Sequence, residues 1–144
     1  MRPANHPIRR IFGDAGLVSL FLETELVEGL RDAATTGKPA LLTSALAVPS
    51  RTGSSPAFVG LSRARDFAVN VALRFLHALA EIRQDSQETE AHLETYGRFG
   101  KLKDNELTRE MSEHLFDPGS GKVVNNSRRQ QGLLHLKHLI SGLD

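Results

Sequence analysis

Cysteine is absent from the 144 residues, and that gap removes disulfides, thiolate metal sites, iron–sulfur clusters and cysteine nucleophiles together. Long apolar runs are missing too. No stretch approaches the roughly 18 apolar residues of a membrane span. The opening Met1-Arg2-Pro3-Ala4-Asn5-His6-Pro7 has no apolar run of signal-peptide type. These absences lead us to expect a cytoplasmic protein without membrane contact. Charge bias is lacking as well. Eighteen Lys and Arg face 17 Asp and Glu, and a net charge of +1 gives no bulk attraction to nucleic acid or an acidic membrane. Within the basic set, however, Arg outnumbers Lys 13 to 5. A guanidinium makes forked, bidentate contacts with carboxylate or phosphate, and an ammonium does not. The excess is open to two readings: internal or solvated ion pairs, or a polyanion partner.

What is present suffices for a modest core, at 40% apolar and 24% charged residues, and the length fits one domain. We expect a mainly α, single-domain bundle of five to six helices. Apolar residues recur at helical spacing from Pro7 to Leu22 through Ile8, Ile11, Phe12, Ala15, Val18 and Leu22. A second helix is expected from Thr24 to Thr36, capped by Thr24 and ended by Gly37. Residues 37–60 break the pattern. Their apolar run Leu41 to Val48 fits either a short strand or a buried turn of helix, and Pro49 to Pro56 reads as a loop.

The central helix is expected near 62–84. Its stripe is Ala64, Phe67, Ala68, Val71, Phe75, Leu79 and Ile82, widened by Val69, Leu73, Leu76 and Ala80. A helix apolar around most of its girth is covered on several sides, so Phe75, mid-way along, is expected in the core. Asp66 stands on the narrow polar line and is expected to pair with Arg63 or with an Arg of the first helix. Shorter helices follow at Ser86–Tyr96, with Ala91 and Leu93 inward, and at Glu106–Leu115, with Leu107, Met111 and Leu115 in line. The last, Arg128–Ser141, is capped by Ser127 and faces inward with Leu133, Leu136, Ile140 and Leu143.

Catalytic signatures do not emerge. Gly119-Ser120-Gly121-Lys122 resembles a phosphate loop only in passing, because Phe116 and Val123 stand where that motif needs Gly and Ser or Thr. His135 and His138 sit one turn apart, but no third ligand is near in sequence. No serine lies in a nucleophile-elbow pattern. The carboxylates fall on positions read as solvent-facing. We therefore name no catalytic residue, metal ligand or cofactor. The basic pairs are more informative. Arg9-Arg10, Arg63 with Arg65, and Arg128-Arg129 all fall in the first turn of an expected helix, where a cation opposes the dipole. Either a nearby acid compensates, or an anion is held jointly by Arg and the helix N–H groups.

Three blocks together resemble a known family. They are Arg2-Pro3-Ala4-Asn5-His6-Pro7-Ile8-Arg9-Arg10, then Arg63-Ala64-Arg65-Asp66-Phe67-Ala68-Val69-Asn70-Val71, and then Asp104 to Met111 followed by Arg128-Arg129-Gln130-Gln131-Gly132-Leu133-Leu134-His135-Leu136. The order resembles the C-terminal half of the bacterial family known as domain of unknown function 2851. The resemblance implies longer relatives, with an N-terminal half like a restriction-endonuclease-type nuclease. The acidic motifs of that half have no counterpart here, so the chain is expected to be a fragment or a truncated product. It also has Arg74 where relatives tend to have proline, which implies a straighter helix, and it lacks their terminal cysteines. The resemblance implies a non-catalytic module that serves a nuclease-like domain or separate chain, with nucleic acid as a possible partner. The candidate contacts are Arg2, Asn5, Arg9, Arg10, Arg63, Arg65, Asn70, Arg128, Arg129 and Gln131. A rival expectation is a protein-interaction domain that packs on a missing half or a second copy. A cleft of converging Arg and Asn favours the first, and a broad exposed apolar patch the second.

Overall fold

The computed structural model describes residues 7–22, 25–50, 57–103, 106–116 and 123–141. They are mainly helical. Among them extended backbone pairs only at two isolated bridges, Val48 with Val59 and Gly100 with Asn126. The chain forms two compact units, Met1–Thr95 and Tyr96–Asp144.

In the first unit, α1 (Pro7–Leu22) and α2 (Leu26–Thr35) fall where the apolar spacing predicts them. Thr24, the expected cap of α2, lies outside the described residues. Gly37 follows with φ of 69°, a left-handed conformation that favours glycine, so it ends the helix as expected. Pro39 then opens α3 (Pro39–Ala45), where its missing N–H leaves no bond unmade. The ambiguous run is thus helix first, with Leu42 and Leu46 buried, and then a bridge in which Val48 and Val59 exchange N–H···O bonds of 3.0 and 3.1 Å.

The packing face of α1 corrects the expectation. Ile8, Ile11, Phe12, Ala15 and Val18 are exposed. The helix meets the Val48–Val59 bridge through Gly13 and Gly16 instead. A Cβ on Gly16 would stand 2.8 Å from Val48 Cγ1, and one on Gly13 3.2 Å from the Phe58 carbonyl oxygen. Glycine lets the backbone approach so closely that bulkier neighbours are turned outward. Phe12 still touches the Phe58 ring, with centroids 5.9 Å apart.

The central helix is one rod in three stretches: α4 (Leu61–Phe67), a π-helical turn (Ala68–Ala72) and α5 (Leu73–Ile82). The Leu73 N–H reaches back five residues to the Ala68 carbonyl, the defining bond of the wider turn. Arg74, where the absence of a proline leads us to expect a straighter helix, stands just after this π turn. Its buried face is a row of small residues, Ala64, Ala68, Ala72 and Ala80, with Val69, Leu73 and Leu76. Phe67, Val71, Phe75 and Ile82 are exposed, so the expected burial of Phe75 is wrong. Both sides of this helix are apolar, and α2 and α3 pack against the side whose small residues admit close approach. The rod ends with Gln84 at φ of 57°, and the Asp85 N–H reaches the Ala80 carbonyl at 3.0 Å.

Asp85 also starts α6 (Ser86–Arg98), its Oδ1 accepting the Glu88 N–H at 2.9 Å. The inward face of α6 is polar: Glu88, His92 and Thr95 are buried, while Ala91 and Leu93, expected inward, are half-buried. Thr95 donates its hydroxyl to the Ala34 carbonyl at 2.6 Å.

The second unit packs α7 (Glu106–Leu115) against α8 (Ser127–Ser141) around Met111, Val124, Leu133 and Phe116. Leu107, Leu115, Leu136 and Ile140, expected inward, are exposed, and Leu143 lies outside the described residues. Hydrogen bonding takes over part of the inward face. Gln130 accepts the Leu102 N–H at 2.9 Å and donates to the Leu102 carbonyl at 3.3 Å. Ser127 is not the side-chain cap. It is buried and donates to the Gly100 carbonyl at 2.7 Å, and Asn126 Oδ1 accepts the Arg129 N–H at 2.9 Å instead. No helix of the described residues is long and apolar enough to cross a membrane.

Candidate functional site

Two features of the first unit could carry function: a part-buried ionic cluster between α2 and α6, and the exposed apolar side of the central helix.

The cluster is built from Arg31 on α2 and Glu88 on α6. Arg31 donates from Nε to Glu88 Oε1 at 2.5 Å and from Nη2 to Oε2 at 2.8 Å, a forked pair, and from Nη1 to Glu28 Oε2 at 2.8 Å. Glu88 is only 7% exposed. The Arg31 hydrogen bond holds its carboxyl below the usual range, against the opposing effect of burial. One turn on, His92 is 1% exposed, with Nε2 3.7 Å from Glu88 Oε1. Neither ring nitrogen has a hydrogen-bond partner among the described residues. Burial lowers its pKa, with Glu88 opposing and His77 adding to the shift. Sequence reasoning missed this cluster and placed Glu88 among solvated carboxylates. The one local sign is Asp85-Ser86-Gln87-Glu88, a helix-start pattern that puts an acid in the first turn.

Beside the pair lies a cleft of about 340 Å³ lined by Arg31, Asp32, Thr35, Asp85, Gln87, Glu88 and Ala91. Three carboxylates meet one guanidinium there, and that guanidinium is already held by Glu28 and Glu88. An anion would face repulsion. His92, the group whose chemistry suits proton transfer near neutrality, does not line the cleft. Among the described residues no three His, Asp or Glu side chains converge as a metal site. The arrangement acts as a clasp joining α2 to α6.

The candidate contact residues fall in two groups. Arg63 is exposed and Arg65 half-buried on α4, and Asn70 is exposed in the π turn. Arg128 and Arg129 are exposed in the first turn of α8, and Gln131 is half-buried there. These two groups belong to different units. The Arg129 guanidinium is engaged locally, donating from Nη1 to the Val123 carbonyl at 2.9 Å and to Asn125 Oδ1 at 3.3 Å. Arg2 and Asn5 lie outside the described residues, as do the side chains of Arg9 and Arg10 and the residues 119–122 of the phosphate-loop-like motif. Among the described residues no ion pair joins Arg63 to Asp66, both of which are exposed.

The second feature is the outer side of the central helix. Phe67, Val71, Phe75 and Ile82 are 40%, 47%, 53% and 79% exposed. In an α-helix a residue four along drifts by about 40°. The wider π turn takes up most of that drift, so Phe67, Val71 and Phe75 stand nearly in line. The result is a continuous apolar ridge, flanked on one side by Asp66, Asn70 and Arg74, all exposed.

The chain matches no protein-family profile, no curated protein and no solved structure.

Proposed function

We propose that the chain is a non-catalytic helical module for protein–protein contact, with the Phe67–Val71–Phe75–Ile82 ridge as its docking surface. The observation that carries this reading is the alignment of four large apolar side chains on one helix, each at least 40% exposed. Single exposed apolar residues are ordinary on any protein, but a contiguous row with a polar margin is the form of an interaction site. The exposed row on α1 adds to it. The polyanion reading has less behind it, since Arg129 is used locally and the cleft is acidic. A role beside a nuclease-like domain, as the resemblance implies, is compatible with this module and names one kind of partner.

The test places a photoreactive benzoylphenylalanine at Val71 in the full chain and irradiates living cells. A discrete protein adduct is expected from position 71 and not from the same probe at Gln87 on the acidic cleft. Adducts to nucleic acid alone, or none, would overturn the reading.

A further inference from the structure

The ridge is self-complementary when reversed. Two copies of the central helix laid antiparallel, with Val71 of each on the two-fold axis, place Phe67 of one opposite Phe75 of the other. The same operation sets Ile82, the most exposed of the four, over Gly60, where nothing stands within 4 Å of a would-be Cβ. A projection at one end of the ridge thus meets a gap at the other.

The charges follow the same symmetry. In an antiparallel pair the same flank of each helix meets itself. Along that flank Asp66 of one copy comes to the level of Arg74 of the other, offset by two residues or about 3 Å along the axis. Arg63 comes equally near the level of Glu81, and Asn70 meets Asn70. Parallel pairing would instead set this flank against the opposite flank of the partner, so Asp66 and Arg74 come near one another only in the antiparallel pair.

We infer that the occupant of the ridge is a second copy of this chain, paired antiparallel about Val71. This rests on the docking reading above and names its partner. A closed two-fold contact of this kind uses one patch twice and leaves no complementary patch over, so it stops at a dimer.

The experiment is sedimentation velocity on the purified full chain over a concentration series into the hundred-micromolar range. Wild type is expected to shift from monomer to dimer. Asp66→Arg and Arg74→Asp each juxtapose like charges twice across the axis and should weaken the dimer by roughly tenfold or more. In an equal mixture each variant supplies the charge that the other has lost. Both cross-axis pairs then form again, one as in the wild type and one with its signs exchanged, so the mixture should regain dimer mass. Val71→Asp should remain monomeric. All of these positions are exposed, and circular dichroism checks that each variant stays helical. Wild type that remains monomeric throughout overturns the inference, as does a mixture no more associated than its separate components. In cells, an adduct at Val71 whose mass is not twice the chain would keep the docking reading and remove the second copy as occupant. No adduct would remove both.

Discussion

Glu88 gives up water on the inner side of α6 and receives two N–H groups of Arg31 in return. His92 beside it gives up water and receives no hydrogen bond among the described residues. The two groups therefore respond to acid in sequence. His92 is neutral in the fold, its pKa below the ordinary 6.5. The unfolded chain takes up that proton first, so its contribution is complete above 6.5 and is lost as pH falls from there through the lowered folded value. Glu88, also lowered, contributes fully above its ordinary 4.5, and that contribution is lost further down. The melting midpoint should fall as pH drops below 6.5, and His92→Leu should blunt this first step while leaving the second. Thermal melts of both proteins in a series of buffers check it. An unchanged pH profile in the variant would assign the first step elsewhere. None of this was legible in the sequence. The partner that lets Glu88 be buried stands 57 residues away, and local periodicity carries no sign of so distant a charge. Asp85 is the exception, because a helix start is a local event.

Helix positions were legible where their phases were not. The central helix spans 61–82 against an expected 62–84, and α7 has the expected ends. Such boundaries follow from caps, prolines and the length of a periodic pattern, all of which are local. Phase fails when two faces are apolar. Phe75 and Leu76 are equally apolar to a periodicity count, yet one is 53% exposed and the other 1%. Cutting Leu76 to Ala should cost about 2–5 kcal/mol, as for other buried leucines. Phe75→Ala should stay within about 0.5 kcal/mol, as surface changes do. Urea unfolding of the two single variants, at a concentration where sedimentation shows monomer, measures both, and a larger loss at Phe75 would reverse the assignment of faces. Glycine made α1 illegible in a similar way. Apolar counting skips Gly13 and Gly16, although they form the contact itself. On α6 and α8, Thr95, Ser127 and Gln130 are buried, whereas Leu136 and Ile140, which the apolar pattern placed inward, are exposed.

For the whole molecule, the fold class was the most legible property. A mainly helical chain follows from the sum of many local patterns, and errors of phase do not disturb that sum. The candidate contact residues were less legible because they were chosen by type and position on helix starts, before their neighbours were known. Arg129 meets that description and yet closes its own helix start, through a loop carbonyl and Asn125.

The π turn has one more consequence, for chain length. A turn closed by a five-residue step holds one residue more than an α-turn. The helix between Leu61 and Ile82 can therefore lose a residue there and become regular. Deleting Asn70 would change the spacing of Ala68 and Ala72 from four to three, which still keeps them on one face of an α-helix. The molecule should tolerate this shortening with its helix content intact, whereas deleting a residue within Leu73–Ile82 would turn Leu76 or Ala80 away from the core. Circular dichroism and melting of the two deletions distinguish these outcomes. If the first fails as badly as the second, the wide turn is required by the fold. If it is tolerated, variants one residue shorter at this site are to be expected among natural copies of the sequence.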